Sequence, residues 1–210
     1  SFPTRRSSDL LVNALDPRIE LVPAHAWTPW FAVFGSKSGY LSLEECFEEL
    51  TPRIRAIETG LSSDPAMNRR LSALDGCALI SNSDAHSLDH IGREANVVAF
   101  GREEAVTYDG IWSRLYSGDP RRFLSTIEFY PEEGMYYHDG HRACAFGCAP
   151  METRQNEGRC PVCTKPLTVG VLSRVEALAD RSAACGREAC TVPARHCVPL
   201  RQIIAHVFKV

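Results

Sequence analysis

The run Ser81-Asn82-Ser83-Asp84-Ala85-His86 ends an apolar stretch with a carboxylate and an imidazole two residues apart. Such a pair, joined by further imidazoles or carboxylates, suits a zinc, manganese or iron centre that keeps one coordination position for water. A metal ion lowers the pKa of bound water from about 15.7 towards roughly 7, which makes a nucleophile at neutral pH. His25 and Glu58 complete the candidate set, each at the end of an apolar run: Ile19 to His25 and Ile54 to Gly60. We take His25, Asp84 and His86 as candidate catalytic residues, and these three with Glu58 as candidate metal ligands. Asp84 is the one most needed for hydrolysis.

The elements that must hold these residues follow from the pattern around them. Ile19 to His25, Ile54 to Gly60 and Cys77 to His86 read as strands. Between them, SLEECFEEL has Ser42 and Glu45 at capping-box spacing, and Asp64-Pro65 suits a helix start. Strand–helix alternation predicts βαβ units and a mainly parallel sheet, open or barrel-shaped, with candidate ligands at the C-terminal strand edge where loops converge. Further on, TIEFYPEEG reads as a strand and turn, Val171 to Arg181 as a helix, Ser182 to Pro199 as loop, and VPLRQIIAHVFKV as a short amphipathic helix. The expected organisation is a tail over 1–10, an α/β domain over 11–130, a cysteine-rich module over 131–181, and a loop and helix over 182–210.

Composition narrows the classes. A formal charge of −3 gives no bulk attraction to nucleic acid, so DNA binding requires a local basic surface. No run has the length of a membrane span. Nine cysteines, an odd number, with no secretory leader in sight, predict a reducing compartment. Cys46 and Cys77 sit in apolar surroundings and read as buried thiols. Cys160-x-x-Cys163 has the spacing of a zinc knuckle. His141-x-x-Cys144 supplies the favoured partner pair, with Cys148 as the alternative to His141. Four protein ligands leave no open position, so this zinc is expected to be structural. Cys185, Cys190 and Cys197 read as free thiols, with a second zinc site as the alternative.

The phrases PAHAWTPWFAVFGSKSG, IRAIETGLSSDPAMN, LISNSDAHSLDHIGREAN, TIEFYPEEGMYYHDGHRAC and CPVCTKPLTVGVLSRVEALADR resemble endonuclease Q, a DNA repair nuclease family of the PHP (polymerase and histidinol phosphatase) superfamily. The resemblance implies part of a distorted TIM-like barrel followed by a small zinc-ribbon-like module. It implies divalent ions (zinc, manganese or magnesium) in the barrel, and His25, Asp84 and His86 fall on matching positions. The superfamily's opening His-x-His motif is absent, which implies an internal segment of a longer barrel. Ser173 stands where the family phrase has histidine. The implied activity is cleavage on the 5′ side of deaminated bases (uracil, hypoxanthine, xanthine) or of abasic sites. The implied partners are lesion-bearing DNA and, as a candidate, a replication or repair clamp. The implied setting is a prokaryotic, nucleoid-associated cytoplasm with no membrane contact.

On this reading Trp27, Trp30 and Phe31 are candidates to stack on a nucleotide, Ser62 and Asn68 to contact the strand, and Arg142, Lys165, Arg159 and Arg174 to meet phosphates. The same metal ligands would serve a PHP-type phosphatase acting on a small molecule, although a small ester needs no second platform. A non-enzymatic nucleic-acid-binding role centred on the zinc module is the third reading.

Overall fold

A computed structural model describes residues 5–37 and 39–209. Of the expected tail, residues 1–4 lie outside the described residues; from Arg5 the chain is helical (α1, Arg5–Leu15). Helix α2 (Leu43–Phe47) starts where the sequence signals it: Ser42 accepts from Glu45 N at 3.1 Å, while the Glu45 carboxylate turns back to Leu41 N at 2.6 Å. Helix α3 (Pro65–Asn68) is capped by Asp64, which accepts from Met67 N at 2.8 Å. The expected cap and proline start are both present.

The strands form separate small sheets rather than one parallel array. β1 (Ala56–Glu58) pairs in parallel with β2 (Ala78–Ile80), with Glu58 opposite Ile80. β3 (Ala95–Val98) runs antiparallel to β4 (Phe123–Glu128), and helix α4 (Tyr108–Leu115) lies between them in sequence. The fold class is therefore α/β as expected, but the sheets are mixed. Among the described residues the pairings do not close a barrel. Ile19 to His25, expected as a strand, forms no ladder. Pro17 and Pro23 lack N–H donors, and the segment touches β1 through Glu58 N to Pro23 O (3.1 Å) and Ala26 N to Glu58 O (3.3 Å).

β5 (Asp139–His141) and β6 (Phe146–Cys148) make an antiparallel hairpin followed by α5 (Pro150–Gln155). Helix α6 (Val171–Leu178) buries Val171 and Val175 in the main core beside Trp27, Phe34, Phe47, Ile57 and Leu74. Ser36 Oγ donates to Val169 O at 2.7 Å, and Arg174 donates to Phe34 O and Tyr40 O at 2.7 and 2.8 Å. The cysteine-rich stretch is thus sewn to the α/β core at its C-terminal end. Residues expected as loop after Ser182 contain α7 (Ala183–Glu188) and β7 (Ala194–His196), which pairs in parallel with β4. Helix α8 (Leu200–Phe208) closes the described chain, as its amphipathic pattern predicts; Val210 of that expected helix lies outside the described residues. Among the described residues no helix is long and apolar enough to cross a membrane. Cys46 and Cys77 are buried thiols, in line with their apolar surroundings.

Candidate functional site

Two places in the fold carry chemistry-bearing side chains. The first is a cleft of about 720 Å³ lined by His25, Asp84 and His86 together with Ser62, Trp30 and Arg93. Its backbone is unusual. His25, Phe31, Leu61 and Asp84 hold positive φ values of 33°, 61°, 35° and 42° without being glycine. Such conformations persist only where neighbours enforce them, and they concentrate at functional sites. His86 Nδ1 lies 2.8 Å from the Asp84 backbone O and 3.9 Å from its Oδ1, so the ring is held against the turn that carries the carboxylate. His25 Nδ1 lies 3.0 Å from Thr28 Oγ1.

Glu58 sits beneath the cleft, buried, and does not line it. Its Oε2 accepts from His25 N at 2.5 Å and its Oε1 from Asn82 Nδ2 at 3.0 Å. Among the described residues these four expected ligands do not bring their donor atoms within one coordination sphere, whereas a second group does. Imidazole and carboxylate donors facing a common solvent-open cleft nevertheless match a divalent ion that carries water in chemical type.

That second group is His141, Cys144, Cys160 and Cys163, whose ligand atoms all lie within 4.8 Å of one another. His141 Nδ1 is 3.2 Å from Cys144 Sγ and 3.3 Å from Cys163 Sγ. A tetrahedral zinc with bonds of about 2.0–2.3 Å spaces its ligands by roughly 3.5–3.8 Å, so the donor set and spacing suit such an ion. The Cys163 thiol, then burial, push the Cys144 thiol up to about 11. Burial also opposes ionisation of Cys160, but the N–H groups of Val162 and Cys163 outweigh it and hold that thiol below its ordinary value. One thiolate forms readily and crowds the next, a condition that a cation relieves. Cys148 lies outside this group, with its sulfur 3.2 Å from Thr153 Oγ1, which leaves His141 as the partner of Cys144. Cys185, Cys190 and Cys197 join no such cluster among the described residues.

The residues expected to touch DNA divide sharply. Trp27 is 1 % exposed, stacked on Phe34 with centroids 4.7 Å apart, and donates from Nε1 to Asn68 Oδ1 at 2.7 Å. Trp27 and Asn68 are therefore core residues: the indole needed a buried acceptor, and the amide supplies it. Arg174 spends its guanidinium on the Phe34 and Tyr40 carbonyls. Trp30 and Phe31 are exposed, Trp30 edge-on to Tyr136 at 5.6 Å, and Ser62 lines the cleft although almost wholly covered. Arg142, Arg159 and Lys165 are exposed on the cysteine-rich module.

Sequence patterns passed over Arg93, Tyr136 and Leu61 in the cleft wall, as well as two buried acids behind it. Burial pushes Glu94 up to about 7 against the pull of the Phe129 and Leu61 N–H groups. Glu128, 1 % exposed, is pushed up by burial to about 8, with Asp64 and Glu94 adding to the effect and Thr126 and Thr59 opposing it. Asp139, also missed, is buried and accepts from Gly170 N and Ser173 Oγ, both at 2.6 Å, fastening the β5–β6 hairpin to α6. Ser173 thus has a structural partner in Asp139.

Fold and site together define an α/β protein with an imidazole–carboxylate cleft and an adjoining Cys₃His cluster able to hold a metal ion. Two solved structures share that fold. The lesion-specific endonuclease PfuEndoQ from Pyrococcus furiosus superposes with a TM-score of 0.75 at 27% sequence identity, covering 98% of this chain and 49% of that one. An endonuclease Q in complex with a 27-mer duplex substrate, with an abasic lesion at its active site, superposes with a TM-score of 0.77 at 27% identity and the same coverage. The resemblance to endonuclease Q carried by the sequence phrases is therefore a resemblance of the whole described fold.

Among curated proteins, the uncharacterized protein YqxK of Bacillus subtilis is 33% identical over 161 residues, 76% of this chain and 39% of its own length. The uncharacterized protein MJ0043 of Methanocaldococcus jannaschii is 26% identical over 158 residues, 74% of this chain and 19% of its own. The chain thus spans about half the length of the solved structures and less of the curated relatives. No family model matches it.

Proposed function

We propose that this chain carries the hydrolytic cleft of a metal-dependent DNA repair endonuclease that cuts 5′ of deaminated bases or abasic sites. The observation that carries the reading is the convergence of His25, Asp84 and His86 on one cleft in a chain that shares its fold with endonuclease Q over 98% of its length. The cut on the 5′ side and the lesion types come from the family resemblance.

In this reading His25, Asp84 and His86 hold a divalent ion, for which zinc, manganese and magnesium are the candidates. When bound, the ion supplies an activated water and neutralises phosphate charge. Asp84 keeps its carboxylate at the cleft through a left-handed backbone, and His86 leaves the same loop. Arg93, in the cleft wall, faces a phosphodiester, while Trp30 and Phe31 offer ring faces to a nucleotide drawn from the stack. Extrusion costs a few kcal/mol, least for a damaged or mispaired nucleotide, which favours lesions energetically. The Cys₃His cluster holds a structural zinc, and Arg142, Arg159 and Lys165 on its surface meet the backbone of the duplex.

Parallel assays on a lesion-bearing duplex and on p-nitrophenyl phosphate test the assignment. The expected outcome is metal-dependent nicking of the duplex without turnover of the small ester. Turnover of the ester alone would move the cleft to the small-molecule phosphoesterases.

A further inference from the structure

The loops carrying His25 and Asp84 are joined by a run of side-chain hydrogen bonds that neither metal holding nor DNA contact uses. It begins on β3. Asn96 Nδ2 donates to Ser81 O at 2.8 Å and to Asn82 Oδ1 at 3.2 Å, and its Oδ1 accepts from Ser81 N at 2.9 Å. Asn82 Nδ2 then donates to Glu58 Oε1 at 3.0 Å. Glu58 Oε2 accepts from His25 N at 2.5 Å. Three strand ends and the His25 loop are thereby linked in series: β3, β2, β1 and the residue that enters the cleft at φ 33°.

The residue types fit the task. The amide offers a donor to Glu58 and an acceptor to Asn96 on two separate atoms of one short side chain. A carboxylate at position 82 would set two acids against each other, and an apolar residue would leave an oxygen of the buried Glu58 unpaired. Asn82 stands two residues before Asp84, whose φ of 42° is as unusual as that of His25.

We propose that Asn82 is a positioning residue, fixing the His25 loop relative to Asp84 through Glu58, so that metal affinity in the cleft depends on an amide that acts through its neighbours. The proposal rests on reading His25, Asp84 and His86 as the metal-holding set. Outer groups that orient ligands cost about 10–100-fold in metal affinity when removed.

The test is titration with Mn²⁺ by calorimetry, on protein whose cysteine cluster has first been loaded with zinc so that the hard ion reports the cleft. Thermal melting is followed in parallel. Asn82→Ala is expected to weaken Mn²⁺ binding by about 10–100-fold and, by leaving a buried Glu58 oxygen unpaired, to lower the melting temperature by a few degrees while the protein stays folded at the titration temperature. A polarity swap guards against a merely structural effect. Asn82→Asp combined with Glu58→Gln restores a donor–acceptor pair across the same gap and still accepts from His25 N, so it should bind Mn²⁺ more tightly than Asn82→Ala. Binding by Asn82→Ala as tight as the parent's, or a swap no better than Asn82→Ala, overturns the proposal. Parent-like binding by Asp84→Ala would instead overturn the site reading beneath it.

Discussion

Gly60 shows how narrowly the cleft residues are held. It follows Glu58 and Thr59 at φ +57°, and a methyl group there would lie 2.6 Å from His25 Cα. Gly60→Ala should therefore displace His25 and destabilise the fold by about 1–3 kcal/mol, the usual range for enforced backbone strain. At about 2–4 °C per kcal/mol for a domain of this size, the drop is readable by thermal melting; an unchanged melting temperature would mean that the two loops are not in contact. The Cys₃His cluster permits an equally local test. Cys160→Ser removes a buried ligand and should abolish zinc retention on dialysis, measured by elemental analysis, while Cys148→Ser should retain the ion. Residue types made the Cys₃His set legible in the sequence, and they marked His25, Asp84 and His86, which line one cleft. They did not separate Trp27 from Trp30, because an indole that buries itself on an amide and one that stays at the surface differ only in what the fold puts beside them.

At the scale of elements, local signals were the reliable ones. Ser42 and Asp64 cap helices as their spacing predicts, α6 and α8 follow their apolar periodicity, and β1 and β2 lie inside the two apolar runs. What failed depended on pairing at a distance. The Ile19 to His25 run has a strand's composition but no full ladder. α7 and β7 are too short to declare themselves: α7 is carried by the Ser182 cap and by Gly186, where a Cβ would come within 2.6 Å of Ala66 O. β7 is a strand only because β4 is beside it. Burial carries a cost at Glu128, whose register partner on β7 is His196. A carboxyl raised from its ordinary 4.5 to about 8 favours its neutral form in the folded chain. The stability it contributes is thus fully present below about pH 4.5 and lost as pH rises through about 8. Glu94, raised to about 7, acts in the same direction. Melting temperature should fall between pH 5 and pH 9, and Glu128→Gln should flatten the fall; parallel profiles for parent and variant would contradict this account of the buried acid.

Over the whole molecule, the cysteine-rich module and the α/β core are joined rather than strung in line. Asp139 binds the β5–β6 hairpin to α6, and α6 gives Val171 and Val175 to the core that supports the cleft. This joining was hidden from the sequence, in which the stretch reads as self-contained because its Cys₃His set could staple it by holding a metal ion. A surface with exposed Trp30 and Phe31 at the cleft and exposed Arg142 and Lys165 on the module suits a duplex better than a small ester.

The measurement that bears most directly on this assignment is strand scission of an end-labelled duplex carrying one hypoxanthine, uracil or abasic site, against the same duplex undamaged, with Mn²⁺ or Mg²⁺. The expected result is a single metal-dependent nick on the 5′ side of the lesion, absent from the undamaged duplex and lost in Asp84→Ala. Equal cutting of both duplexes, or a lesion-dependent nick that survives Asp84→Ala, would contradict it.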